Sequence, residues 1–173
     1  MRKPMAAAGS VAFFVLAPGV VAGLVPWWLT GWRVQQPLPF WAPLRAAGVA
    51  LLAAGAVVLV QAFVRFVVEG AGTPAPVAPT QRLVLGGLYR YVRNPMYLAV
   101  VATIVGQALV LGQPVLLLYA AAGWAVMGAF VRWYEEPVLA RRFGAHYEAY
   151  RRAVPAWWPR RRPWQPPGEA DQP

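Results

Sequence analysis

Residues 94–131 read NPMYLAVVATIVGQALVLGQPVLLLYAAAGWAVMGAFV, 38 residues in a row without a charge. A bilayer core of about 30 Å is crossed by roughly 20 helical residues. At about 1.5 Å per residue, one helix of this length would reach roughly 57 Å. The run is therefore too long for one crossing. Its middle holds Gly112-Gln113-Pro114, a helix stop followed at once by a helix start. The spacing predicts a helical hairpin, Pro95–Leu111 and then residues 114–134. Each arm opens on a Pro, where the missing N–H does least harm.

Two more uncharged windows precede the hairpin, 29 residues at 4–32 and 19 residues at 46–64. With the hairpin they predict about four transmembrane helices in an all-α integral membrane protein. The first window follows Arg2 and Lys3 as a signal peptide would. It is too long for that, and it ends in Trp27, Trp28 and Trp32 rather than at a small-residue cleavage site. Those Trp residues fit an interfacial belt.

The composition agrees. Of 173 residues, 59% are apolar and 13% charged, about half the quarter usual in soluble domains. The net charge is +10, which in another setting suggests nucleic acid. Here the cations collect at the ends of the apolar runs, so no nucleic-acid partner is expected. Arg2, Lys3, Arg82, Arg90, Arg93 and seven Arg residues between 141 and 162 fall on one side; Arg33 and Arg45 fall on the other. The bias places both termini in the cytoplasm. There is no Cys and a single His, His146, so no metal is expected.

The chain divides into a two-span region (1–68), a Pro/Gly-rich linker (69–80), a core (81–159) and a basic, Pro-rich tail (160–173) expected to be disordered. Within the core, Leu139, Phe143, Tyr147, Tyr150 and Val154 recur at spacings of 4, 4, 3 and 4. That period predicts an amphipathic helix over 135–154, lying on the membrane surface or folded back over the spans.

Chemistry-bearing residues fall in two clusters, Gly86–Tyr97 and Arg132–Glu136. The hairpin turn brings their ends to one side, so Arg93 and Asn94 should neighbour Arg132 and Glu135. Each cluster also has a plain reading. Arg90 and Arg93 would then snorkel to headgroups, the Tyr residues would belt the interface, and Glu135 and Glu136 would favour a helix N-terminus. Against it, two adjacent carboxylates at a membrane boundary are functional candidates, and a Pro-led helix start is a ready anion site. His146 is read as a packed or interfacial residue. Gln61, Thr103 and Gln107 either hydrogen-bond between helices or line a cavity, and the first reading is preferred.

The clusters resemble the isoprenylcysteine carboxyl methyltransferase family and its relatives among membrane phospholipid methyltransferases. The family element G-x-Y-x-x-x-R-[HN]-P-x-Y appears as GLYRYVRNPMY, residues 87–97. The family element E-E-x-x-L-x-x-x-F-G-x-x-Y-x-x-Y-x-x-x-V-P appears as EEPVLARRFGAHYEAYRRAVP, residues 135–155. The likeness covers 81–159. It implies a multi-pass, bacterial-type inner-membrane methyltransferase that takes S-adenosyl-L-methionine from the cytosol and a lipophilic acceptor from the bilayer. By resemblance the cofactor contacts are Gln81, Arg82, Leu83, Val84, Tyr89, Asn94, Pro95, Met96, Tyr97 and Glu135. Arg93 joins them because an Arg suits the cofactor's carboxylate, while Tyr faces suit its sulfonium. Arg132, Glu135 and Glu136 are the candidate catalytic residues.

This chain departs from the family in two places. Many members have His at the position of Asn94. A substrate-contacting Arg of the eukaryotic enzymes falls at Val131, beside Arg132. The expected reaction is carboxyl O-methylation of an isoprenylcysteine-like or other small hydrophobic acceptor. A phospholipid N-methyltransferase and a non-catalytic membrane scaffold are the alternatives. A transporter is disfavoured by spans that carry no charge.

Overall fold

The computed structural model describes residues 17–70 and 83–165, and no strand occurs among them. The first part of the 4–32 window, most of the linker, Gln81, Arg82 and residues 166–173 lie outside the described residues. Among the described residues six helices follow one another: α1 (Ala17–Thr30), α2 (Ala42–Gly70), α3 (Pro95–Leu111), α4 (Pro114–Phe130), α5 (Glu136–Phe143) and α6 (Ala145–Ala153). Two helical stretches among these residues are long and apolar enough to cross a bilayer, Ala42–Arg65 and Pro114–Phe143, in which α4 runs on into α5; Ala17–Thr30 and Pro95–Leu111 are shorter.

The hairpin forms as its sequence predicts. Gly112 takes the left-handed conformation (φ 67°) that ends α3, and Pro114 opens α4. The loop after α1 folds onto this turn. Gln35 N donates to Leu111 O at 2.7 Å, and Gln113 Nε2 donates to Arg33 O at 2.8 Å. Trp41 Nε1 and Arg45 Nε reach Leu109 O and Val110 O, at 2.7 and 3.2 Å. The orphan carbonyls in the last turn of α3 are thereby satisfied.

Helices α2 and α3 form the most extensive pairing in the fold. Small residues let their backbones meet: a Cβ added at Gly48 would stand 2.8 Å from Gly106 O, and one at Gly55 would stand 2.6 Å from Thr103 Oγ1. Close approach through small residues is how helices associate where burial of apolar surface gives no drive. Helix α1 contains a π-helical turn, Val20–Leu24. Gln107 Nε2 donates to Ala22 O at 2.6 Å, and the Tyr119 hydroxyl donates to Val21 O at 2.8 Å. Gln107 thus bonds between helices as expected. Thr103 bonds within its own helix, to Ala99 O.

Two details differ from the expected core. The amphipathic segment is two helices, not one, because Gly144 breaks it with φ 52° and ψ −129°, a backbone that side chains disfavour. The apolar stripe survives the break. Tyr147, Tyr150 and Val154 are buried against Leu83, Leu85, Leu139, Phe143 and Trp164, so α6 folds back onto the segment that leads into α3. The start of the tail is also held. Arg160 N and Trp164 N donate to Tyr91 O and Arg90 O at 3.0 and 2.9 Å, and Trp164 packs on Tyr150 with ring centres 5.4 Å apart. His146 is exposed.

Candidate active site

Two backbone features assemble the site. A 3₁₀ turn at Gly87–Arg90 leads through Asn94 to Pro95, the first residue of α3. Opposite, α4 passes through a π-helical turn, Val131–Glu135, before continuing as α5. A π turn shifts the register of the side chains on either side of it and often marks a functional position. Here Val131 is buried and Arg132 turns outward, with 67% of its side chain exposed. Glu135 and Glu136 both reach the start of α3.

The contacts across this gap are specific. Arg93 Nη1 donates to Glu136 Oε1 at 2.8 Å and to the Tyr147 hydroxyl at 3.2 Å. Glu136 Oε2 lies 3.7 Å from both Arg132 and Arg151. Three guanidinium groups thus surround one buried carboxylate. Glu135 has a different neighbour: the Tyr97 hydroxyl donates to its Oε2 at 3.2 Å. Arg93 Nε is buried and has no partner among the described residues. Asn94 is buried, and its Nδ2 donates to Ala156 O at 3.1 Å.

Beside these contacts lies a partly open cavity of about 80 Å³, lined in part by Leu83, Val84, Tyr89, Arg93, Asn94 and Glu135. Leu83 also borders a larger, more open cleft of about 1070 Å³, which Gln61, Arg65 and Arg90 help to line. Tyr147 and Tyr150 close the cavity from the α6 side. Burial pushes the Tyr147 hydroxyl up to about 12, outweighing the lowering effect of the Arg93 charge. The Tyr150 hydroxyl is raised by burial too and donates to Tyr89 O at 2.7 Å. Both are neutral hydrogen-bonding groups at ordinary pH.

Of the residues named from sequence, Leu83, Val84, Tyr89, Arg93, Asn94, Glu135 and Glu136 line the cavity. Tyr97 reaches it through Glu135. Met96 packs beside Ala62, Val84 and Tyr89, and Pro95 is buried at the helix start. Arg132 is not among the lining residues and sits at the rim. Sequence reasoning assigned Tyr147 and Tyr150 to a packing stripe. Their part in the site follows from the fold-back of α6, which the stripe alone left open.

The phospholipid methyltransferase family profile matches residues 44–146, more than half of the chain. The chain belongs to the phospholipid methyltransferase family. No curated protein and no solved structure matches it. Phospholipid methyltransferase membership, with the apolar helices, makes the chain a membrane methyltransferase in general terms. The matched segment runs from the start of α2 to the first turn of α6. It contains both site clusters and stops just short of Tyr147, Tyr150 and Arg151. Among the described residues no group of three His, Cys, Asp or Glu is placed to hold a metal.

Proposed function

We propose that this protein transfers a methyl group from S-adenosyl-L-methionine to a lipophilic acceptor, from four membrane helices with both termini and the site on the cytoplasmic side. One observation carries the reading. Arg93 and Tyr97, before and in the first turn of α3, bond Glu136 and Glu135 where the π turn passes into α5, beside one partly open pocket.

The residues suit the cofactor chemically. The unpartnered Arg93 Nε–H is a donor for a carboxylate. Glu135 accepts from ribose hydroxyls or an amino group, and Tyr97 and Tyr89 offer ring faces to a sulfonium. Leu83, Val84 and Asn94 supply the remaining wall, with Met96 packed behind Val84 and Tyr89 and Pro95 buried at the start of α3. A cavity of about 80 Å³ takes one end of such a molecule. Holding all of it requires Leu83, the wall shared with the larger cleft, to move.

When bound, the cofactor supplies an electrophilic methyl carbon on a sulfonium. Methyl transfer is then a matter of holding nucleophile and methyl in line and excluding water. The chain's residues bind and orient; a carboxylate acceptor needs no base. Arg132, at the rim, suits an anionic acceptor head.

A second reading, N-methylation of a phospholipid amine, is favoured by the family match. An ammonium acceptor must lose a proton. Glu135, paired with one hydroxyl, is the better acceptor of it than Glu136, which three guanidinium groups surround.

Calorimetry of S-adenosylhomocysteine binding to the purified protein, beside Glu135→Ala, tests the proposal. Binding lost in the variant supports it. No binding by folded wild type, in detergent and in lipid nanodiscs, overturns it and leaves a scaffold. Labelled donor incubated with a lipid extract then separates the two chemistries, since an ester product is base-labile and an amine is not.

A further inference from the structure

Trp157, on the segment after α6, stands between α3 and α4. Its ring centre is 6.4 Å from that of Tyr97 on α3 and 6.3 Å from that of Trp124 on α4. A Cβ added at Gly128, one turn beyond Trp124, would stand 3.9 Å from Trp157 Cζ2. The indole is therefore in contact with both helices. Two hydrogen bonds fix it from behind: Arg93 N donates to Pro155 O at 2.9 Å, and Asn94 Nδ2 donates to Ala156 O at 3.1 Å.

Trp124 and Gly128 on α4, and Val131 and Glu135 in the π turn that follows, recur at spacings of 4, 3 and 4. Trp124, at one end of this row, is 44% exposed, and Glu135, at the other, accepts from the Tyr97 hydroxyl. Gly128 leaves space in the middle, and the Trp157 ring takes it. Because one ring touches both helices, the space between α3 and α4 at this level is one ring, or one hydrocarbon chain, wide.

We propose that Trp157 determines which acceptors are methylated: its indole closes the space between α3 and α4, and an acceptor's hydrocarbon chain reaches the Tyr97–Glu135 pair from the bilayer by displacing it. This rests on the methyltransferase reading above. An indole and a chain are exchangeable there because both are apolar and make dispersion contacts with the same walls. A smaller residue at 157 leaves room for a thicker or branched chain.

The chain has no Cys, so Gly128→Cys introduces its sole thiol, at a position where a Cβ makes ordinary contact. The full-length protein in nanodiscs is treated with hexyl methanethiosulfonate. Adding Trp157→Ala should speed the reaction by roughly tenfold, because a covered thiol reacts only in the locally opened fraction of molecules. Trp157→Phe, which keeps a ring, should restore slow reaction. Should Trp157→Ala fail to give a monodisperse helical protein, Trp157→Val takes its place. Equal rates with and without the indole overturn the closure. In parallel, labelled donor and a lipid extract report the set of methylated products, which should broaden in Trp157→Ala; a faster thiol with an unchanged product set overturns the selection. Absence of S-adenosylhomocysteine binding by wild type overturns the methyltransferase reading and the selection with it. That failure is recognised separately, because the thiol rates are read without cofactor.

Discussion

Arg93 and Glu136 lie 43 residues apart in sequence and 2.8 Å apart in space, with 12% and 9% of their side chains exposed. The pair ties the approach to α3 to the far end of the hairpin's second arm. It also engages Arg93 through Nη1, while Nε has no partner among the described residues.

Glu136→Gln should be the most damaging single change at the site. It leaves Arg93, Arg132 and Arg151 facing one another without their shared carboxylate. Removing one partner of a buried ion pair typically costs about 3–5 kcal/mol. The expected result is a clearly lower thermal unfolding midpoint in detergent, with partial recovery on adding Arg93→Met. An unchanged midpoint in the single variant would show that the pair contributes nothing to the fold.

Glu135→Gln should behave in the opposite way. A Gln oxygen still accepts from the Tyr97 hydroxyl, so the unfolding midpoint should stay near wild type. The charge available to cofactor hydroxyls or an acceptor's proton is lost. A hydrogen bond to a charged group contributes about 1.5–3 kcal/mol, so S-adenosylhomocysteine affinity should fall by roughly 10- to 100-fold. Calorimetry on the two Gln variants side by side separates binding from folding. A loss of affinity in Glu136→Gln alone would reverse the assignment.

The hairpin was legible in the sequence because its signals are local. A charge-free run and a Gly-Gln-Pro stop and start fix two helices without reference to the rest of the chain. That Arg93 and Asn94 come near Glu135 followed from topology, since one turn returns both ends to the same side; the pairing of Arg93 with Glu136 and of Tyr97 with Glu135 did not. Other features depend on tertiary context. Gly144 reads as an ordinary member of a helical pattern until its positive φ is seen. The π turn at Val131–Glu135 has no sequence signature, yet it sends Arg132 outward. Trp164 lies in a stretch whose composition reads as disordered, and it is held by backbone pairing with Arg90 and by the Tyr150 ring. The opportunity for both contacts exists only after α6 folds back.

The α2–α3 contact gives a test of packing remote from the chemistry. A Cβ at Gly106 would meet Gly48 O at 2.9 Å and Leu52 N at 3.0 Å, both backbone atoms that cannot swing away. Gly106→Leu should therefore cost the 1–3 kcal/mol typical of overpacking or more, or block folding. Gly123→Ala is the matched control, because the nearest atom to its added Cβ is Met127 Cε at 3.9 Å. It should leave the midpoint unchanged or raise it, as Ala favours helix by up to about 1 kcal/mol. Equal effects from the two substitutions would exclude close backbone approach as the basis of this interface.

Gln107 and Tyr119 bond neighbouring carbonyls of the α1 π turn, Ala22 O at 2.6 Å and Val21 O at 2.8 Å. Tyr119→Phe leaves Val21 O with no compensating relief, and interhelical bonds of this kind are worth about 0.6 kcal/mol on average and up to about 1.7. Gln107→Leu loses the shorter bond, but it also removes Oε1, a buried acceptor with no partner among the described residues. The two terms oppose each other. Gln107→Leu should therefore destabilise less than Tyr119→Phe, despite the shorter distance. Because both bonds hold one turn, the double variant should depart from additivity. Unfolding of the two single variants and the double variant in the same detergent measures this directly. A larger loss in Gln107→Leu would mean that Oε1 has a partner in the membrane.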